Sequence, residues 1–291
     1  MHAIYERMSK SAFGWLVENY IENFEPLKQH IRGARINVLL KTWVSIIFFT
    51  SLIAYFAGLA FVIILGMFIE FYILLYIVMI VFIPVLVASF TFLIFYIYPM
   101  QKAKSRASSI ENNLPFAITH MAATASSGIP PEFMFSIIGQ FKEYGEISKE
   151  AQMVVKNIKT FGSSSVAAMK SVAMQTPSPR LREVLLGITS TIETGGNLPA
   201  YLKEMSDKAL FDYRIKREKY LKTLSTYADI YTALLVAAPL FLLATMATMS
   251  IIGGDIMGFT TSQIVTIMTW IMLPVMNIGF LLFIHITYPG V

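Results

Sequence analysis

From Thr42 to Pro99 the chain carries one charged residue, Glu70, among Phe, Ile, Leu, Val, Tyr and small side chains. At 1.5 Å per residue a single helix of that length would be nearly three bilayer cores long, so the run must fold back on itself. The break falls at Gly66 and Glu70, leaving Trp43–Leu65 and Phe71–Tyr98, each with at least the ~20 residues that a crossing needs. Tyr227–Tyr288 divides the same way at Gly253, Gly254, Asp255 and Gly258, into Ala228–Ile252 and Ile264–Tyr288. Four transmembrane helices are expected.

The charges say which side is which. All 23 Lys and Arg residues fall in two segments, Met1–Lys41 and Gln101–Lys222, while the two hairpin loops offer only Glu70 and Asp255. The positive-inside rule therefore places the amino terminus, the long middle segment and the carboxyl terminus in the cytoplasm of a multi-pass cell-membrane protein. Met1–Lys41 lacks the short apolar core of a cleavable signal peptide and reads as an amphipathic cytoplasmic segment, divided by Pro26 into two short helices. Pro84, Pro239 and Pro274 lie inside the spans, where proline is commonly tolerated because neighbouring groups satisfy the freed carbonyls.

The middle segment is long enough for one compact domain. Leu114, Ile118, Met121 and Ala125 recur at helical spacing, as do Met153, Val154, Ile158 and Phe161, and Leu181, Val184, Leu185, Ile188 and Ile192. Breaks fall at Gly128-Ile129-Pro130-Pro131, Tyr144-Gly145, Gly162 to Ser165, Pro177-Ser178-Pro179 and Gly195 to Pro199, giving six helices. The expected fold is all-α: a polytopic membrane protein with four transmembrane helices and one cytoplasmic helical-bundle domain. Its parts are an N-terminal helical segment (1–41), two spans (42–99), the bundle (100–226) and two further spans (227–291). Gly128, Gly162 and Gly196 are spaced by 34 residues. That is the tetratricopeptide period, but the Trp, Leu-Gly and Tyr positions of that repeat are missing, so three helical hairpins of similar length are expected instead. The likeness of Gly128–Met134 to Gly196–Leu202 reads as a weak internal duplication.

Chemistry is harder to find. The chain has no cysteine, which excludes thiolate metal sites, disulfides and thiol nucleophiles. Gly195-Gly196-Asn197 lacks the Gly-Lys-Ser/Thr ending with which a lysine reaches phosphates. His2, His30, His120 and His285 are too dispersed for a ligand pair at helical spacing, and no Gly-x-Ser-x-Gly elbow occurs. No enzyme, cofactor, metal site or nucleic-acid partner is expected. His120 reads as a helix-bundle histidine, because no ATP-binding domain of a sensor kinase follows it.

Two motifs carry a resemblance. Asn113-Leu114-Pro115-Phe116-Ala117-Ile118, with small residues running on to Gly128 and Pro131, is similar to the start of the type II secretion system F domain. Glu193-Thr194-Gly195-Gly196-Asn197-Leu198-Pro199 resembles that domain's glutamate and glycine turn. The resemblance covers about residues 110–222 and is nearest to the platforms of archaeal pili, archaella and tight-adherence pili. Bacterial relatives usually carry two such domains where this chain has one. It implies a membrane platform that assembles a type IV pilus-like filament or archaellum, with a hexameric secretion ATPase, pilin-like subunits and membrane lipid as partners and a homodimer as the assembly. Leu114, Pro115, Gly128, Glu193, Gly195, Gly196 and Pro199 then act as structural residues. The alternative is a membrane subunit of a transporter coupled to a separate ATPase, which would need a polar cavity among the spans.

A motor must grip cytoplasmic surface. The candidates are Lys142 and Lys149 around Gly145, Lys159 before Gly162, and Arg180 and Arg182 after Pro179, with Lys203, Lys208 and Arg214 as a further set. Arg180 and Arg182 are favoured, because a proline-bounded helix start is rigid and arginine pairs bidentately with carboxylates.

Overall fold

A computed structural model describes residues 9, 15, 17, 18, 21–69, 72–252 and 260–287. The hairpin turns read at Glu70 and Asp255 lie outside them. Among the described residues the protein is helical throughout, without a strand, and four helices are long and apolar enough to cross a membrane. The chain forms two compact units, residues 1–209 and 210–291.

In the first unit a turn of 3-10 helix (Ile21–Phe24) leads into α1 (Glu25–Gly33), so Pro26 occupies the first helical turn, where its missing N–H costs nothing. Helix α2 (Leu40–Phe68) and the long α3 (Ile73–Ser126) pair as the first two spans. They approach closely at Gly58, where a Cβ would stand 3.2 Å from Pro84 Cα. Small residues permit such packing in lipid, where burial of apolar surface supplies little attraction. Leu27 and Ile31 of α1 tuck beneath this pair against Ile47, Trp43 and Phe95.

Helix α3 continues without a break through Pro99 and Pro115 into the bundle. There follow α4 (Pro131–Gln140), a 3-10 turn (Lys142–Tyr144), α5 (Glu146–Phe161), α6 (Ser165–Gln175), α7 (Pro179–Glu193) and α8 (Leu198–Tyr231). Ser164 and Ser178 cap α6 and α7, accepting from the amides of Ala167 at 3.2 Å and Leu181 at 3.3 Å. The core joins Ile110, Leu114, Ile118 and Met121 of α3 to Phe135 and Ile138, Ile147 and Val154, Met169 and Val172, and Leu185 and Ile188 of the helices that follow.

In the second unit, α8 passes into π geometry at Thr232–Ala237, followed by α9 (Ala238–Ile252). Then come α10 (Thr261–Ile267), a π stretch at Met268–Met272 and α11 (Leu273–Thr287). Each π stretch ends two residues before a proline, Pro239 or Pro274. The wider turn accommodates a ring that would otherwise press on the carbonyl four residues back. Tyr231 donates from its hydroxyl to Asn277 Oδ1 at 3.1 Å, and Asn277 Nδ2 donates to Leu273 O at 2.9 Å, so this span amide is satisfied within the helices.

Candidate functional site

The bundle has two unlike ends. Helix α3 leaves the apolar run near Pro99 and travels outward, α4 returns, α5 travels out, α6 returns and α7 travels out again. The returning turns lie near the membrane: a Cβ on Gly33 would meet Pro177 at 3.2 Å and Ala103 at 3.4 Å, and one on Gly145 would meet Ser109 Oγ at 3.0 Å. The outward turns are at Gly128, Gly162 and Gly195, with φ of 74°, 64° and 67°. At Gly195 the left-handed turn closes a Schellman motif, Gly196 N donating to Thr191 O at 2.8 Å and Gly195 N to Ile192 O at 3.2 Å. A 34-residue spacing is thus one out-and-back helical pair.

The membrane-proximal end is held by a buried ionic framework. Arg106, on α3, donates to Glu146 Oε2 at 2.7 Å, to Glu150 Oε1 at 2.6 Å and to the carbonyl of Gly33. Arg35 reaches the second oxygen of Glu150 at 3.0 Å and Lys149 O at 3.2 Å. Three pieces of chain, α1 with its exit turn, α3 and α5, are therefore joined through two carboxylates. Arg35 pays for its place with a left-handed backbone (φ 52°), at the position of the α1 Schellman turn where glycine is usual. Burial pushes the Glu150 carboxyl above the usual glutamate range, and Arg35 and Arg106 offset this only in part. Burial also acts upward on Glu146, but Lys149 and Arg106 outweigh it and hold that carboxyl below the range.

The predicted contact residues divide between the two ends. Lys142 is exposed in the 3-10 turn, and Lys149 pairs with Glu146 at 2.6 Å, both at the membrane-proximal end. Arg180 is exposed there on the first turn of α7. Arg182 Nε donates to Ala173 O at 3.0 Å and Nη2 to Thr176 O at 3.2 Å, closing the carboxyl end of α6. Lys159 is exposed at the outward end, as is Lys203 in the second turn of α8. Lys208 stands 3.9 Å from Glu183, and exposed Arg214 belongs to the second unit.

Among the motif residues, Leu114 and Pro115 are buried on α3, and Pro199 sits in the first turn of α8, whose start is capped by Asn197 Oδ1 accepting from Ala200 N at 3.0 Å. Glu193 binds Lys170 at 2.6 Å, tying α7 to α6.

Sequence reading missed the ionic framework and two contacts between helices. Thr119 and Ser206 share a 2.7 Å hydroxyl hydrogen bond between α3 and α8. Tyr201 lies so close over Gly187 that a Cβ there would be 1.8 Å from its hydroxyl oxygen. The small residue within an otherwise bulky helical stripe was the available signal. His120 packs edge-on to Phe141 at 5.0 Å and shares a 3.2 Å hydrogen bond with the Tyr144 hydroxyl.

Residues 117–246 match the family described as type II secretion system (T2SS), protein F. Among curated relatives, an uncharacterized protein of Methanocaldococcus jannaschii, MJ1286, is 27% identical over 158 residues, covering 54% of this chain and 27% of the relative. Flagella accessory protein J of the same organism is 24% identical over 146 residues, 50% of this chain and 26% of its own length. Flagella accessory protein J of Methanococcus voltae is 20% identical over 175 residues, 60% of this chain and 30% of its own length. The matched stretches thus span less than a third of each of these relatives. No solved structure matches. Residues 117–246, from within α3 to within α9, are thus similar to the type II secretion system protein F domain.

Proposed function

We propose that this protein is a membrane platform for assembling a type IV pilus-like filament or archaellum, and that a cytoplasmic hexameric secretion ATPase drives it. The observation that carries the reading is α3, 54 residues of unbroken helix that form a span at one end and the wall of the family domain's bundle at the other. At 1.5 Å per residue this is a rod of about 80 Å. Force applied to the bundle reaches the membrane along one helix, whose ladder lacks a donor only at Pro84, Pro99 and Pro115. Filament subunits held beside the spans are the load, and a homodimer is the working assembly.

The motor grips the membrane-distal end. Lys159 and Lys203 are exposed on helices that end or start there, as are the rings of Phe133 and Phe161, 56% and 69% accessible. Arginine and aromatic anchors dominate many interfaces, and here the aromatic part stands at the end farthest from lipid. The transporter alternative finds less support. The cleft of 470 Å³ between α8 and α11 is lined mainly by Tyr227, Phe280, Leu281 and Ile284, and its amide, Asn277, is already bonded to Tyr231.

Co-purification of the protein with a secretion ATPase of its own cell tests this. The double substitution Lys159→Glu, Phe161→Ala is expected to abolish capture and filament formation, with Arg180→Glu leaving capture intact. Loss of capture by Arg180→Glu alone would move the contact to the proximal end, and filaments in cells lacking the protein would refute the platform.

A further inference from the structure

At the bundle's membrane-proximal end lies a cavity of 810 Å³, bounded by the last turn of α1, by α3 where the apolar run gives way to charge, and by the turn between α6 and α7. Its lining includes Arg32, Lys104, Arg182 and His30 together with the apolar Ile97 and Met100; no carboxylate is among the described lining residues. Arg182 is already fixed by two carbonyls, which holds its guanidinium in place. Arg32 and Lys104 have no ion pair among the described residues. The absence of acid here contrasts with the neighbouring framework, where Arg106 and Arg35 share two glutamates. Arg182 is held while Arg32 and Lys104 are exposed, and three cations around one cavity repel one another unless an anion joins them.

The height of the cavity identifies the anion. Ile97 belongs to the last turn of the second apolar run and Met100 follows directly after it. Trp43 stacks on Tyr98 at 6.2 Å, and Lys102 lies 5.7 Å from the Tyr98 ring centre. Aromatic rings with a first lysine beyond them mark the level of lipid headgroups. A free phosphate would satisfy the cations and leave the apolar residues in water, whereas a lipid uses both, its phosphate among the cations and its chains along Ile97 and Met100. We propose that this cavity binds the phosphate headgroup of an anionic membrane lipid. Bound there, the lipid joins α1, the root of α3 and the α6–α7 turn to the bilayer surface.

The test uses the full-length protein in detergent, with phosphatidylglycerol, phosphatidylcholine or inorganic phosphate added and bound lipid counted by native mass spectrometry. Phosphatidylglycerol should be retained and phosphatidylcholine not. Taking roughly fivefold in affinity per surface cation, Arg32→Gln with Lys104→Gln should weaken retention about 25-fold. The conservative pair Arg32→Lys with Lys104→Arg should keep it, which separates loss of charge from loss of fold. Lys102→Gln, one residue from Gln101 but outside the cavity, should change it less than either cavity substitution made alone. Unchanged binding by the double glutamine variant would overturn the proposal, and equal loss by Lys102→Gln would reduce the site to a diffuse field. Displacement of the lipid by inorganic phosphate at matched concentration would make it a free-anion site and refute the lipid assignment.

Discussion

Arg106→Met tests whether the buried ionic framework holds the first unit together. Methionine keeps an unbranched stem and removes the guanidinium, whose side chain is 8% exposed and faces Glu150 and Glu146 at 5% and 16%. Removing one partner of a buried pair usually costs about 3–5 kcal/mol, because the other charge stays behind uncompensated. Here each carboxylate keeps a second cation, Glu150 with Arg35 at 3.0 Å and Glu146 with Lys149 at 2.6 Å, so the low end, about 3 kcal/mol, applies. For a unit of this size each kcal/mol shifts Tm by about 2–4 °C, giving a fall of roughly 6–12 °C in thermal unfolding followed by circular dichroism. A fall below about 2 °C would refute the structural role.

Acid should shrink the deficit. Glu150 is raised by burial, so its contribution is fully present below the ordinary value of 4.5 and is lost as pH rises through its value in the folded protein. Removing Arg106 enlarges that rise. The variant is then weakest at neutral pH, and its deficit narrows toward pH 4.5 as Glu150 takes up a proton and no longer needs a cation. Glu146 works in the same direction. Its lowered value stabilises the parent at neutral pH through Lys149 and Arg106, and that stability fades as pH falls through the folded value, so the parent loses in acid the share that Arg106 supplied and the variant lacks. Adding Glu150→Gln to Arg106→Met should recover part of the loss at neutral pH. A deficit that is flat or grows on acidification would sink this account.

Gly187→Ala places a methyl 1.8 Å from the Tyr201 hydroxyl oxygen and should destabilise by about 1–3 kcal/mol in the same thermal assay, with Tyr201→Ala in the same chain restoring part of it. Cysteines replacing Glu70 and Asp255 should label from outside intact cells and those replacing Ser109 and Ser164 should not, since every basic residue lies in the two segments read as cytoplasmic. External labelling at Ser164 would invert the arrangement.

The helix ends were legible because glycine, proline and serine report on backbone geometry within a few residues of themselves. Gly128, Gly162 and Gly195 mark the left-handed turns, and Ser164 and Ser178 the caps. The four spans were equally plain, because a bilayer selects on the composition of a whole run. Nothing local announced that α3 runs on through Pro99 and Pro115, since proline inside a helix becomes tolerable only when packing compensates for the lost bond. The ionic framework was hidden for another reason: Arg106 and Glu146 are 40 residues apart, and pairing at that distance depends on how the bundle closes. Arg35 was hidden as well, because a charged residue holds a left-handed turn that reads from sequence as a place for glycine.

The alternation of turns also decides what a charge change can report. Arg180, Arg182, Lys142 and Lys149 share the end marked by Gly33 and Ala103, while Lys159 lies at the other end of α5 from Lys149. That helix has 16 residues, so the ends stand about 24 Å apart, roughly three Debye lengths at physiological ionic strength. A charge reversed at the proximal end is therefore screened from any partner seated on the distal turns. If Arg180→Glu altered motor activity while leaving capture unchanged, the effect would have to travel through the packed helices to α3 and the membrane rather than through the field. Its dependence on salt would be weak, whereas loss of a direct contact at Lys159 would depend on salt strongly. Measuring the salt slope of each variant thus separates a residue that the motor touches from one that anchors the bundle's membrane-proximal end.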